Sequence, residues 1–168
     1  MLHSLARLYL LRTILKTWIK QEVQKEWKYS WATETRRRAC RRYTPKPTHK
    51  FLRLYEKRSK RHSSLLIQMR TEKIGLRDFL HQKGVPEITN PQCACGEGRQ
   101  MVIHVLMRCR RFNDLRRREL SGIPGRRDLR AILNERKTAT KAINFMEQTQ
   151  IFGHFGLWNK QNQALGGD

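Results

Sequence analysis

Apolar positions recur at a helical spacing along most of the chain, and almost nowhere do they alternate with the period of two that a half-buried strand requires. The pattern predicts a mainly α protein. Over residues 2–19, Leu5, Leu8, Leu11, Leu15, Trp18 and Ile19 follow a period near 3.6, with Arg7, Arg12, Lys16 and Lys20 on other faces. This predicts an amphipathic helix whose apolar stripe packs on the rest of the domain. Trp18, Trp27, Tyr29 and Trp31 are interleaved with Lys20, Lys25 and Lys28. Rings among cations suit stacking on unpaired bases, but helix core is the commoner fate of such residues and is the expectation here. Pro45 and Pro47 break the helical pattern and mark a linker.

Beyond the linker, Ser63-Ser64 is expected to cap a helix carrying Leu65, Leu66 and Met69. A second short helix carries Ile74, Leu76, Phe79 and Leu80 and stops at Gly84. Residues 85–91 read as loop, 102–115 as helix, and Gly122, Pro124 and Gly125 as a break. Two further helices are expected at 128–133 and 138–149, the latter with Ala139, Ala142, Ile143 and Met146 on one face. Residues 151–158 are apolar but interrupted by glycine, and the last residues are expected to fray.

Charge adds a second constraint. The 168 residues include 36 Lys plus Arg against 14 Asp plus Glu, a formal net charge of +22. Self-repulsion of that size opposes compaction unless a polyanion offsets it, which argues against an ordinary metabolic enzyme. Residues 1–62 carry +14 and the remainder +8. The densest runs are Arg36, Arg37, Arg38, Arg41 and Arg42, then Lys57, Arg58, Lys60 and Arg61. Later come Arg70, the group Arg108, Arg110 and Arg111, and the group Arg116, Arg117 and Arg118. Arginine forks match phosphate oxygens, so these residues are the expected contacts to RNA or DNA. The plainer reading of any such run is a solvated helix face. Phosphate contact by itself carries no sequence information. Mean hydropathy is −0.76 and no apolar run approaches 18 residues, so no membrane span is expected.

Sharp chemistry is confined to one place. Cys93, Cys95, His104 and Cys109 lie within 17 residues, and the fourth cysteine, Cys40, stands apart in the arginine run. Three thiolates and an imidazole suit tetrahedral zinc in a closed structural shell. Gly96 and Gly98 follow Cys95 and let the backbone turn tightly. His104 and Cys109 suit the same ion if the helix bends or ends near Cys109. The rival readings are free thiols or a disulfide; one between Cys93 and Cys95 would be strained, and the chain does not look like a small secreted scaffold. One structural zinc is expected, because a complete shell leaves no position for catalysis.

The expected architecture is therefore a small irregular helical domain with a zinc-knuckle-like loop-helix and a basic N-terminal helical arm. Its divisions are an arm at 1–44, a Pro/Lys/Arg-rich linker and helix start at 45–62, and a zinc-binding helical module at 63–120. C-terminal helices follow at 121–160, with a frayed tail at 161–168.

From Ser63 onward the chain resembles the C-terminal zinc-binding region of LINE-type (non-LTR) retrotransposon reverse transcriptases of the kind common in fungi. The resemblance covers about 100 residues. It is carried by Ser64-Leu65-Leu66-Ile67-Gln68-Met69-Arg70-Thr71, Gly75-Leu76-Arg77-Asp78-Phe79-Leu80, Cys93-Ala94-Cys95-Gly96 and His104-Val105-Leu106-Met107-Arg108-Cys109. Arg116 matches an Arg that follows the last Cys in that family, and Ala142-Ile143-Asn144-Phe145 resembles its closing helix. The resemblance implies that Cys93, Cys95, His104 and Cys109 are metal ligands. It also implies an accessory segment that grips element RNA or target DNA, and a partner in the remainder of such a polyprotein, supplied separately.

No paired-Asp polymerase motif of the Tyr-x-Asp-Asp type is present, and the carboxylates are too scattered for an RNase H or endonuclease metal site. The expectation is a fragment that is not an enzyme and takes no small-molecule substrate or membrane partner. A deaminase would need a His-x-Glu arrangement, and His104-Val105-Leu106 lacks it. The expected location is intracellular and reducing, nucleus or cytoplasm. The alternative is a basic structural protein of a mitochondrial ribonucleoprotein or ribosome, suggested by the acid-free, Arg-bearing amphipathic start.

Overall fold

The computed structural model describes residues 2–35, 38–45, 48–123 and 128–152. Arg36, Arg37, the Lys46-Pro47 part of the linker, Pro124-Gly125, residues 153–158 of the apolar stretch and the 161–168 tail lie outside the described residues, as does the side chain of Arg38. The described residues form a mainly α structure with no β-strand, only an isolated bridge between Gln92 and Arg99. The chain divides into two compact units, Met1–His49 and Lys50–Asp168.

In the first unit, α1 (Leu2–Thr33) runs well past the predicted end at Ile19. The apolar period fades there, but no Gly or Pro occurs before Pro45, and Gln, Lys and Glu continue the helix on propensity alone. A short α2 (Arg38–Tyr43) follows. The last carbonyls of α1 lack intrahelical donors and its last turn holds no basic residue. Arg41 supplies one, donating from Nη1 to the Ala32 carbonyl at 2.7 Å. Trp31 is half-buried and donates from Nε1 to the Thr44 carbonyl at 3.0 Å. Trp18 and Trp27 do not form core as expected: they are 57% and 40% exposed.

The second unit is built around α7 (Arg136–Gln148), which touches α3 (Lys60–Thr71), α5 (Asn113–Glu119), α6 (Leu129–Asn134) and the turn His104–Arg108. Ala139, Ala142, Ile143, Phe145 and Met146 are wholly buried, matching the predicted face and adding Phe145. Each large side chain among them contributes about 1.5–3 kcal/mol of burial. Leu66 and Met69 of α3, Ile132 and Leu133 of α6, and Leu106 and Leu120 are wholly buried as well. The segments expected as a 63–120 module and 121–160 helices thus share one unit.

Three helix starts differ from expectation. Helix α3 begins at Lys60, three residues before Ser63, because Ser59 has extended backbone and accepts the His62 amide at 3.1 Å. Glu135 caps α7 by accepting from the amides of Lys137 and Thr138 at 2.9 and 2.8 Å. The short α4 (Arg77–Gln82) starts after Ile74 and Leu76, which are buried just before it rather than within it, and it ends where predicted, with Gly84 at φ +68°.

Candidate metal centre

Residues 91–100 fold back as a miniature hairpin. The Cys93 amide donates to the Gly98 carbonyl at 2.8 Å, and the Gln100 amide to the Pro91 carbonyl at 2.9 Å. The turn needs positive φ at Gly96 (+80°) and Gly98 (+139°), conformations that suit glycine. A side chain at Gly98 would also face His104 Nδ1 at 4.0 Å.

The other two residues come from a widened helical turn. On an α-helix, His104 and Cys109 would sit about 140° apart. His104–Arg108 is instead π-helical, and the Cys109 amide donates to the His104 carbonyl, five residues back, at 2.7 Å. That wide turn brings the fifth residue back over the first. The helix expected over 102–115 therefore breaks at Cys109, which has φ −57° and ψ 118°, and resumes through a 3-10 turn, Arg110–Phe112, into α5.

The hairpin and the wide turn bring the four residues together. Their ligating atoms all lie within 4.8 Å of one another. Cys93 Sγ is 3.7 Å from Cys109 Sγ, and Cys95 Sγ is 3.1 Å from His104 Nε2. Thiolates bound 2.3 Å from a tetrahedral ion sit about 3.8 Å apart, and a disulfide needs about 2.05 Å. The spacing therefore fits a shared metal ion, and the cysteines are free. All four residues are buried, so the cluster is closed to solvent.

Burial pushes the Cys109 thiol up to about 12. Burial also acts to raise Cys95, but hydrogen bonds from the Glu97 amide and from the Cys93 and Cys109 thiols outweigh it, and the net direction is down. His104 is lowered, chiefly by burial, with Glu97 opposing and Arg108 and Arg116 assisting. The lowered His104 and Cys95 suit metal ligation, whereas the Cys109 thiol must give up its proton as a metal binds.

The cluster is anchored from behind. Phe112 packs on the three cysteines and meets Phe145 of α7 edge-on, with ring centroids 6.2 Å apart. Arg116 is buried and donates to the carbonyls of Leu106 (2.7 Å), Cys109 (2.9 Å) and Val105 (3.1 Å), and to Asn113 Oδ1 (2.7 Å). A widened turn leaves carbonyls without the usual α-helical donors, and one guanidinium satisfies three of them. Periodicity does not reveal either role; the one sequence signal was the resemblance-based match at Arg116.

Two of the expected phosphate contacts, Arg116 and Arg70, are turned inward. Arg116 faces inward onto backbone. Arg70 is also buried, donating to the Leu133 carbonyl at 2.8 Å and to Asn134 Oδ1 at the end of α6. Arg58 is half-buried and bonds to Thr140 Oγ1 at 2.9 Å and the Arg136 carbonyl at 2.8 Å. Arg61 pairs with Glu147 at 2.8 Å, Arg117 with Asp114 at 2.5 Å, and Arg118 with Glu119 at 3.1 Å, all three arginines exposed. Arg110 lies 3.8 Å from Glu97. Lys57, Lys60, Arg42, Arg108 and Arg111 are exposed. No family model, no curated protein and no solved structure matches this chain.

Proposed function

We propose that the chain is an accessory nucleic-acid-binding module whose second unit is held by one structural zinc ion, derived from the C-terminal region of a non-LTR retrotransposon reverse transcriptase. The observation that carries the reading is the convergence of Cys93, Cys95, His104 and Cys109 within 4.8 Å. Three sulfurs and one imidazole nitrogen are the donor set zinc prefers, and a shell of four protein ligands leaves no open position for a reacting water. The zinc is thus structural, and the module has no catalysis of its own. The nucleic-acid half is supported by the net charge of +22 and by the exposed Arg108, Arg110 and Arg111 beside the cluster. Cations so placed take phosphates of RNA or DNA, with the remaining polyprotein as the natural partner in a reducing compartment, nucleus or cytoplasm.

Native mass spectrometry of the wild type beside Cys109→Ser, with and without a short RNA, tests both halves together. One zinc per wild-type chain, none in the variant, and an RNA adduct that salt removes are expected. A folded wild type without metal overturns the zinc half; absence of an adduct at low salt overturns the other.

A further inference from the structure

The first half of α1 presents a face that the zinc and phosphate readings leave unused. Leu10, Leu11, Ile14, Leu15, Trp18 and Ile19 are each 47–60% exposed. At about 100° per residue these six cover roughly half the helix circumference. Arg12, Lys16 and Lys20 fall together on the other half, beside Thr13 and Thr17, whose hydroxyls turn back onto the Tyr9 and Thr13 carbonyls at 2.9 Å. No acidic residue precedes Glu22. Past that point the character changes, with Glu22 and Lys25 paired at 2.6 Å and Glu26 following.

We propose that residues 9–20 of α1 lie in the surface of an anionic lipid bilayer. The aliphatic half enters the acyl boundary and Arg12, Lys16 and Lys20 meet headgroup phosphates. Contiguous exposed apolar surface of this kind marks a partner site. A second copy of this helix is disfavoured by like charge. Nucleic acid satisfies the cations but leaves Leu and Ile in water, because bases stack on rings. A lipid surface satisfies both halves, and Trp18 sits well at its boundary. No described helix is long and apolar enough to cross a membrane, and lying in the surface requires no crossing. The expectation of no membrane partner rested on the missing span alone.

The test uses the full chain and its Trp18→Phe variant, with vesicles of phosphatidylcholine with or without phosphatidylglycerol. The expected result is a Trp18-dependent blue shift, quenched by brominated acyl chains, that needs the anionic lipid to form and survives high salt afterwards. Leu11→Asp with Leu15→Asp is expected to lower vesicle partition at least about tenfold, with thermal stability unchanged because both positions are exposed. Adsorption that salt reverses completely, without acyl-chain quenching, overturns the proposal as bare attraction of a +22 chain. A shift produced by RNA or by an acidic, apolar-grooved protein, but not by vesicles, overturns it in favour of that partner.

Discussion

Phe145 and Leu15 both stand at helical spacing among other apolar residues, yet Phe145 is wholly buried on α7 while Leu15 is 55% exposed on α1. The difference is in what surrounds the helices. Phe145 belongs to a unit where α3, α5 and α6 converge on one helix and where the Cys3His cluster abuts Phe112. In the first unit, α1 has the short α2 beyond its C-terminal end, where the fixed contacts include those of Trp31 and Arg41. Periodicity predicts that a face is apolar; it does not predict what covers it.

On the proposed function, metal removal gives the sharpest contrast. Structural zinc contributes roughly 10–16 kcal/mol of apparent binding energy in small finger peptides. Cys109→Ser, or a chelator, is expected to abolish hydrogen-exchange protection across α7 and leave the weakly packed α1 amides nearly unchanged. Equal loss in both helices would erase the distinction between the units.

Core truncation sharpens the same contrast. Phe145→Ala is expected to destabilise the second unit by about 3–5 kcal/mol. Leu15→Ala is expected to stay within about 0.5 kcal/mol, as for other exposed positions. Denaturant titration of both variants checks this, and a large cost at Leu15 would mean that α1 is packed in solution.

Arginines divide by burial rather than by sequence run. Arg116→Met removes the donor to three carbonyls and is expected to cost about 3 kcal/mol, with weaker metal retention. Replacing Arg111 with Ala should leave stability within about 0.5 kcal/mol. On the proposed function, it should lower the salt slope of single-strand binding by about 0.7.

A smaller loss than at Phe145 or Arg116 is expected at the start of α7. The amides of Lys137 and Thr138 hold the Glu135 carboxyl below its ordinary value of 4.5. A depressed carboxylate contributes stability above that ordinary value and loses it as pH falls through the lowered one. Glu135→Ala should therefore cost about 1 kcal/mol near neutral pH, and the gap from wild type should close in acid.

The helical class, the α6 and α7 segments, the stop near Gly84 and the four clustered residues were legible because each is set by local chemistry. Spacing of apolar residues, positive φ at glycine and the donor types of Cys and His need no tertiary knowledge. The wide turn at His104–Arg108 was not legible, since the α and π turns share the same apolar residues and differ in which carbonyl each amide finds. Periodicity does not separate Arg70 and Arg116 from the exposed arginines; only the fold supplies the carbonyls that draw them inward. Ser59 outcompeted Ser63 because the turn before it, with Lys57 at φ +55°, delivers extended backbone one turn earlier.

On the proposed function, one metal ion at Cys93, Cys95, His104 and Cys109 holds the second unit folded. Cobalt titration of the metal-free chain, followed by thiolate-to-cobalt charge-transfer absorption and near-ultraviolet dichroism together, addresses it most directly. Saturation at one cobalt per chain, a tetrahedral d–d spectrum, and tertiary dichroism that rises in step with the metal signal are expected. Full tertiary dichroism before any cobalt is added, or an octahedral spectrum without thiolate bands, would contradict it.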